Sequence, residues 1–407
     1  VRRCLRKMTH VGALAVALIS AACGPGSHSE KKAPSDDPAD YLVDDSLNYR
    51  IEVSEPHWVV PSDGLPDVVT PQVANNNVDI HFFEDRLFMA WRTAPTHFAS
   101  DQVEMYVVSS LDGGTNWEFE TRIDMKSDVR EPRLIDADGR LQLMFFQAGT
   151  DMLNFEPVRI WRTFRRELGD WSAPEILLDE PEVPWDVKRR SGKIWMTSYQ
   201  GKHYSPDPEA GIHVHFKQST DGLNWRLVDD APFVYVGGVS EVAFEFDADG
   251  SLWAVTRNED GDESGWGSHV CTVAAGRLGD WDCPQQTDPE RYDSPELFRH
   301  GDDLYLAARR DIGGPFGTDG DMTAYSLRPK RSALYKIDKD QRKVVHLFDL
   351  PGCGDTAFPS VRRSGAHTFL LANYTSPLDE PDISWLQGQT SARGTQIYLL
   401  SITFVQE

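Results

Sequence analysis

The chain is poor in cysteine, in basic residues and in long apolar runs. Five cysteines among 407 residues are too few for a disulfide scaffold. Acids outnumber bases by 64 to 41, a formal charge of −23. The basic footprint that a phosphate backbone demands is therefore missing, and nucleic acid is excluded as a partner. No apolar run reaches about 18 residues, which argues against a polytopic helical membrane protein. Sustained helical periodicity is absent as well, and no pattern asks for a cofactor. What is present is apolar and aromatic: 40% hydrophobic residues and 12 Trp, enough for a sizeable core.

Residues 1–22 read as a secretory signal. Arg2, Arg3, Arg6 and Lys7 precede a small, apolar stretch from Val11 to Ala22 that is too short to span a bilayer. The sequence Ile19-Ser20-Ala21-Ala22-Cys23-Gly24 resembles a bacterial lipobox. That resemblance implies lipidation of Cys23 and a place in the bacterial cell envelope. Gly24 in place of Asp implies the outer membrane. The lipid is then the membrane's only hold on the chain. Residues 23–46 are polar and rich in Ser, Pro, Asp and Lys, and read as a flexible tether.

Residues 47–407 repeat. Trp117, Trp171, Trp225 and Trp281 are 54, 54 and 56 residues apart. They close the phrases S-L-D-G-G-T-N-W, E-L-G-D-W, S-T-D-G-L-N-W and R-L-G-D-W. Short segments of β-branched and aromatic residues between Asp/Gly turns fill each unit. Four-stranded units of about 50 residues are propeller blades. The expectation is an all-β, six-bladed propeller with blades starting near Val78, Arg130, Trp185, Ser240, Asp293 and Asp355. The last strand, Gln396 to Phe404, is expected to pair with Tyr49–Val60 and close the ring.

Ser110-x-Asp112-x-Gly114-x-x-Trp117 resembles the Asp box of the sialidase superfamily, and Ser219-x-Asp221-Gly222-x-x-Trp225 is a shortened form. Glu241 and Arg257, 16 residues apart across an Asp-Gly hairpin, are similar to the sialidase segment in which a Glu polarises a catalytic Tyr and an Arg clamps the substrate carboxylate. Arg331-Ser-Ala-Leu334 is similar to the segment carrying the third clamp Arg. The chain departs from the family at Phe358, where sialidases carry the Tyr nucleophile. It departs again at Val69-Thr70-Pro71, where they carry the first Arg.

The starts of the inner strands bring carboxylates toward one axial mouth. Glycoside hydrolysis by two carboxyls makes Glu131, Asp186, Glu241 and Asp293 the catalytic candidates, with Glu131, between Arg130 and Arg133, the one most suited to a purely structural role. Arg92, His97, Trp185, Tyr199, Arg257, Arg310, Arg331 and Tyr374 are candidates for holding a sugar, by stacking and by ionic contact with hydroxyls. His213 and His215 share a strand face but lack a third metal ligand, and no metal site is expected. The acidic run Glu259-Asp-Gly-Asp262-Glu-Ser reads as a solvated turn. Cys271 and Cys283 flank a hairpin and suit a disulfide, which leaves Cys353 unpaired. Three functional readings stay open for what is expected to be a monomer: a glycan-cleaving enzyme, a non-catalytic propeller that binds glycan or protein, and a scaffold in an envelope complex, which would show a large apolar patch on the blade sides.

Overall fold

The computed structural model describes residues 33–152, 154–201, 211–314 and 320–407. The signal segment and Cys23 lie outside them. The described body is six antiparallel sheets of four or five strands each. The inner strands are Ala74–Phe83, Asp128–Ala137, Val183–Arg190, Val239–Phe246, Asp293–His300 and Ser360–Arg363. Each packs against the inner strand of the next sheet, and the sixth returns to the first. The sheets are thus six blades around one axis. The sixth is closed by Gln396–Gln406, which pairs with Thr368–Thr375 on one side and with Tyr49–Val53 and His57–Val60 on the other. Early and late chain meet in one sheet, so the ring has no open seam.

The blades form where alternation and turn chemistry agree. In the turn after the third strand of blade one, the Asp112 carboxylate accepts the amides of Thr115 and Asn116 at 3.0 and 2.9 Å. Gly114 takes φ +101°, and Trp117 is buried beneath the turn. Asp221 repeats this with Leu223 and Asn224, both at 2.8 Å. Between blades the core is apolar; Phe88, Val107, Phe145 and Trp171 belong to one such layer. Cys271 and Cys283 are disulfide-bonded, and Cys353 is free and buried.

The inner strand is the edge of its sheet, so its axial N–H and C=O groups have no strand partner. Side chains from neighbouring blades supply one. Asp79 accepts the Leu134 amide at 2.6 Å, Asp186 that of Phe244 at 2.9 Å, and Glu241 that of Ser294 at 2.8 Å. The Ser360 hydroxyl accepts the Ile80 amide at 3.1 Å. Lys188 donates to the Phe244 carbonyl at 3.0 Å. Leaving such groups bare in a buried axis costs about 1–3 kcal/mol each.

The described part of the expected tether lies against the propeller. Asp36 accepts the Arg363 amide at 3.2 Å and faces the Arg190 guanidinium at 3.4 Å. Asp37 accepts the Ser191 amide at 2.6 Å, and Asp45 that of Asp302 at 2.8 Å. Tyr41 stacks on Arg363, with the guanidinium 4.8 Å from its ring centre. Residues 33–46 are therefore a strap across the face where the inner strands end. Composition hid this, because what holds the strap is its acids meeting a cluster of arginines supplied by distant blades. Burial works to raise the Asp36 pKa, but Arg190, Arg362 and His81 outweigh it and hold the carboxyl below its ordinary value. Asp36→Asn should therefore lose about 2 kcal/mol of stability at pH 7. The deficit should shrink as pH falls below about 4 and on through the lowered pKa of the folded carboxyl, where the wild type also takes up its proton. Urea unfolding at the two pH values measures both; an equal deficit at each rules out the ionic role.

Candidate functional site

The inner strands begin at the opposite face, and there their pairing slips. Register shifts fall between Asn76 and Asp79, Arg130 and Arg133, Pro184 and Asp186, Val239 and Val242, and Asp293 and Glu296. Five blades thus carry a bulge at one height. A bulge re-aims the side chain it displaces. Asn77, Glu131 and Ser294 adopt φ of 49°, 50° and 51°, a left-handed conformation that non-glycine residues pay for and that gathers at functional sites.

Most charges at this mouth neutralise one another. Asp128 holds Arg92 at 2.9 Å and Arg130 at 2.5 Å. Asp293 faces Arg291 at 2.5 Å, Arg257 at 3.2 Å and Arg309 at 3.6 Å. Against the cost of burial those guanidinium groups hold its pKa at about 2. Arg257 also pairs with Glu241, and with Glu259 at 3.0 Å. His97 meets Asp355 at 2.7 Å, and the other oxygen of Asp355 accepts the Tyr374 hydroxyl at 3.1 Å.

Glu131 is the exception. It is 8% exposed, and the Asn77 amide donates to it at 3.1 Å. Among the described residues it lies within ion-pair distance of no cation. Burial pushes its pKa to about 7, and the nearby Glu241 charge adds to the shift, while Arg133, Arg130 and the Asn77 bond hold it back. Burial also raises Glu241; Glu259 and Asp293 reinforce this against Arg257 and Arg309. Two buried carboxyls thus face one another electrostatically. One is charge-paired and the other holds its proton near neutrality.

Phe358 and Trp185 meet edge to face at 5.0 Å, and the Arg133 guanidinium lies 4.8 and 5.1 Å from their ring centres. Two buried tyrosines stand close by. Burial and adjacent carboxylates raise both phenols well above their ordinary value: Glu259, Glu241 and Glu131 at Tyr199, and Asp355 at Tyr374. Neither is poised to ionise.

The structure thus gathers Glu131, Glu241, Asp293, Arg92, His97, Trp185, Tyr199, Arg257 and Tyr374 around one end of the axis. Asp186 sits differently: it is bound to Lys188 at 2.5 Å and caps the Phe244 amide. Arg310 points away and pairs with Asp349 at 2.8 Å; alternation instead turns Arg309 inward, onto the Thr356 carbonyl at 2.7 Å. Arg331 lies against Asp382 and the Pro381 carbonyl. Glu259, expected in a solvated turn, is buried beside Arg257. Asn77 and Arg133 escaped sequence reading. The signal was there in Glu131-Pro132, Ser294-Pro295 and Phe358-Pro359, since proline cannot donate to a ladder and marks a bulge. His213 packs on Phe233 with ring centres 4.3 Å apart, and His215 bonds the Pro232 carbonyl at 2.8 Å.

No family model and no curated protein matches the chain. Solved structures do. A protein of unknown function from Dyadobacter fermentans superposes with TM-score 0.58 at 14% identity, covering 87% of this chain and 99% of that one. The phage phi92 endosialidase gives 0.56 at 11% identity, over 90% and 70%. The Trypanosoma rangeli sialidase in complex with sialic acid gives 0.53 at 12% identity, over 81% and 54%. The fold is the sialidase-type six-bladed β-propeller. This chain spans about half of the trypanosomal enzyme's length.

Two outcomes follow from these environments. The folded state holds the Glu131 proton more tightly than the unfolded chain does. That contribution is complete below the ordinary Glu value and is lost as pH rises through about 7. Glu131→Gln should match wild type in stability near pH 4 and exceed it by roughly 2–3 kcal/mol at pH 8. Denaturant titrations at both pH values check this. Asp186→Asn should be destabilised by about 3 kcal/mol at neutral pH, because Lys188 loses its closest counter-ion; unchanged stability would remove Asp186 from the framework.

Proposed function

We propose that this protein acts on glycans outside the cytoplasm, held to the bacterial envelope by a lipid on Cys23, and that it cleaves a glycosidic bond by carboxylate chemistry. Glu131 is the proton donor and Glu241 the ionised partner that stabilises the developing positive charge or activates the attacking group. The observation that carries this reading is the state of Glu131: buried, within ion-pair distance of no cation among the described residues, held at a bulge, and protonated up to about pH 7. Its neighbour Glu241 supplies the second carboxyl. The endosialidase and sialidase names of the structural neighbours support a glycan as the substrate. Phe358 and the high-pKa tyrosines speak against an aryl nucleophile. Arg257, already shared by Glu241, Glu259 and Asp293, has little left for a substrate carboxylate.

The rival reading, a propeller that binds glycan without cleaving it, is favoured by the pairing of Asp128 and Asp293 with arginines and of Asp355 with His97. The experiment that separates them is a chromogenic glycoside panel, a sialoside included, with the chain lacking only its signal segment. Turnover is expected on a neutral glycoside. Its kcat/KM should fall above about pH 7, and Glu131→Gln should lower it by 10²–10⁴-fold. No turnover on any glycoside, together with saturable binding on a glycan array, establishes the binder.

A further inference from the structure

Arg133 is buried, 5% exposed, two residues beyond Glu131 on the same bulged strand. The faces of Phe358 and Trp185 hold its guanidinium by cation–π attraction. They give its N–H groups no oxygen. Its Nε has no hydrogen-bond acceptor, and among the described residues no carboxylate lies within ion-pair distance of it. A buried guanidinium with an idle donor is costly to a fold. The other cations acting on Glu131 are committed elsewhere. Arg92 is held by Asp128 at 2.9 Å and by the Phe98 carbonyl at 2.9 Å. Arg130 is held by Asp128 at 2.5 Å and by the His97 carbonyl at 3.2 Å. Arg133 acts on Glu131 more strongly than Arg130 does. The remaining groups facing Glu131 are the neutral Asn77 amide, the Tyr199 phenol, which keeps its proton, and the negative Glu241. Glu296 of blade five faces Arg133 but has Arg362 at 3.4 Å and Lys188 at 3.8 Å. Arg133 is thus an uncommitted positive charge beside an uncommitted carboxyl.

We infer that Arg133 is a positioning residue for the proposed reaction: it supplies the positive charge that offsets the Glu131 carboxylate once that group has given its proton away. The inference rests on the reading of Glu131 as the proton donor. In that step the Glu131 O–H bond breaks and the glycosidic oxygen takes the proton. The electron pair of the breaking C–O bond leaves with that oxygen. A carboxylate then stands where a neutral acid stood, in a buried place beside the negative Glu241. The water consumed in hydrolysis supplies the proton that restores the acid. An ionised carboxyl there needs a nearby cation, and Arg133 is the one with no carboxylate of its own. The Trp185 and Phe358 rings keep it in place while leaving it unclaimed.

The test is a pH titration of the chain lacking only its signal segment, with its glutamate carboxyls labelled with carbon-13 and read by NMR. Glu131→Gln identifies the Glu131 signal. Arg133→Met keeps the packing on the two rings and removes the charge; Arg133→Gln does so with a polar group, and Arg133→Lys restores the charge. In the two neutral variants the Glu131 signal should titrate about one pH unit higher than in wild type, and Arg133→Lys should recover most of the difference. Rates are compared near pH 5, where all these proteins hold the Glu131 proton, on a glycoside that the wild type turns over. There the kcat of the neutral variants should fall by about 3–10-fold with KM within about twofold. The high-pH limb of their rate profile should move up with the NMR signal, which a loss through misfolding would not cause. The inference is overturned if Glu131 titrates as in wild type in both neutral variants, or if kcat near pH 5 is unchanged. An unmoved titration beside intact turnover sinks this inference alone. A moved titration in a protein whose wild type cleaves no glycoside overturns the hydrolase reading, and the role of Arg133 with it.

Discussion

Everything along the axis follows from one constraint: six inner strands, each an edge of its own sheet, turn unpaired backbone toward a common centre. A sheet edge open to water is tolerable, whereas one buried on an axis is not. The axis is therefore filled with side chains that accept or donate to the neighbouring blade. Asp79, Asp186, Glu241, Ser360 and Lys188 each reach across to the next inner strand. Carboxylates serve well because one can cap an amide and still hold a cation. Their burial then requires counter-ions, and Lys188, Arg257 and Arg362 follow as a consequence. The charged axis is thus first a solution to backbone hydrogen bonding.

This gives a way to separate chemistry from scaffolding. A carboxylate that caps an amide and holds a cation is accounted for by the fold, as Asp186 is. Glu241 does both jobs as well, yet burial raises its pKa, and the Glu259 and Asp293 charges add to the shift. Glu131 does neither. Its main chain sits at positive φ, among the described residues it bonds a neutral amide and no cation, and its proton is retained near neutrality. A strained, buried, uncompensated carboxyl weakens the fold. The edge-capping scaffold does not account for it, which is what recommends Glu131 for the acid role in the proposed chemistry.

The architecture was legible because it is written periodically. The Trp spacing and the Asp/Gly turns fix the blade count, and the alternation of the last strand announces ring closure. Site membership was harder to read. Arg309 and Arg310 are neighbours in sequence, and only the phase of alternation on that strand decides which enters the axis. In the structure Arg309 turns onto the Thr356 carbonyl and Arg310 onto Asp349, the reverse of the expectation at Arg310. Glu131, flanked by Arg130 and Arg133, looks paired in sequence. In the structure Arg130 turns to Asp128, and Arg133 stacks on Trp185 and Phe358. The strap was illegible for a related reason. Its acids are ordinary surface residues until Arg190 and Arg363, 173 positions apart, are brought together by the closing of the ring.

The same constraint explains how the fold persists at 11–14% identity to its structural neighbours. Capping an inner edge demands an acceptor or a donor at a given height, and Asp, Glu, Ser or Lys can each provide one. Phe358 shows the freedom that results. Its buried phenyl ring packs on Trp185 and against Arg133, while the edge bonds are made by Asp79, Asp186, Glu241 and Ser360 at other positions. The chemistry at the mouth can therefore change while the ring stays closed. The residues to test for function are then the ones the edge-capping rule does not require, and at this mouth Glu131 heads them.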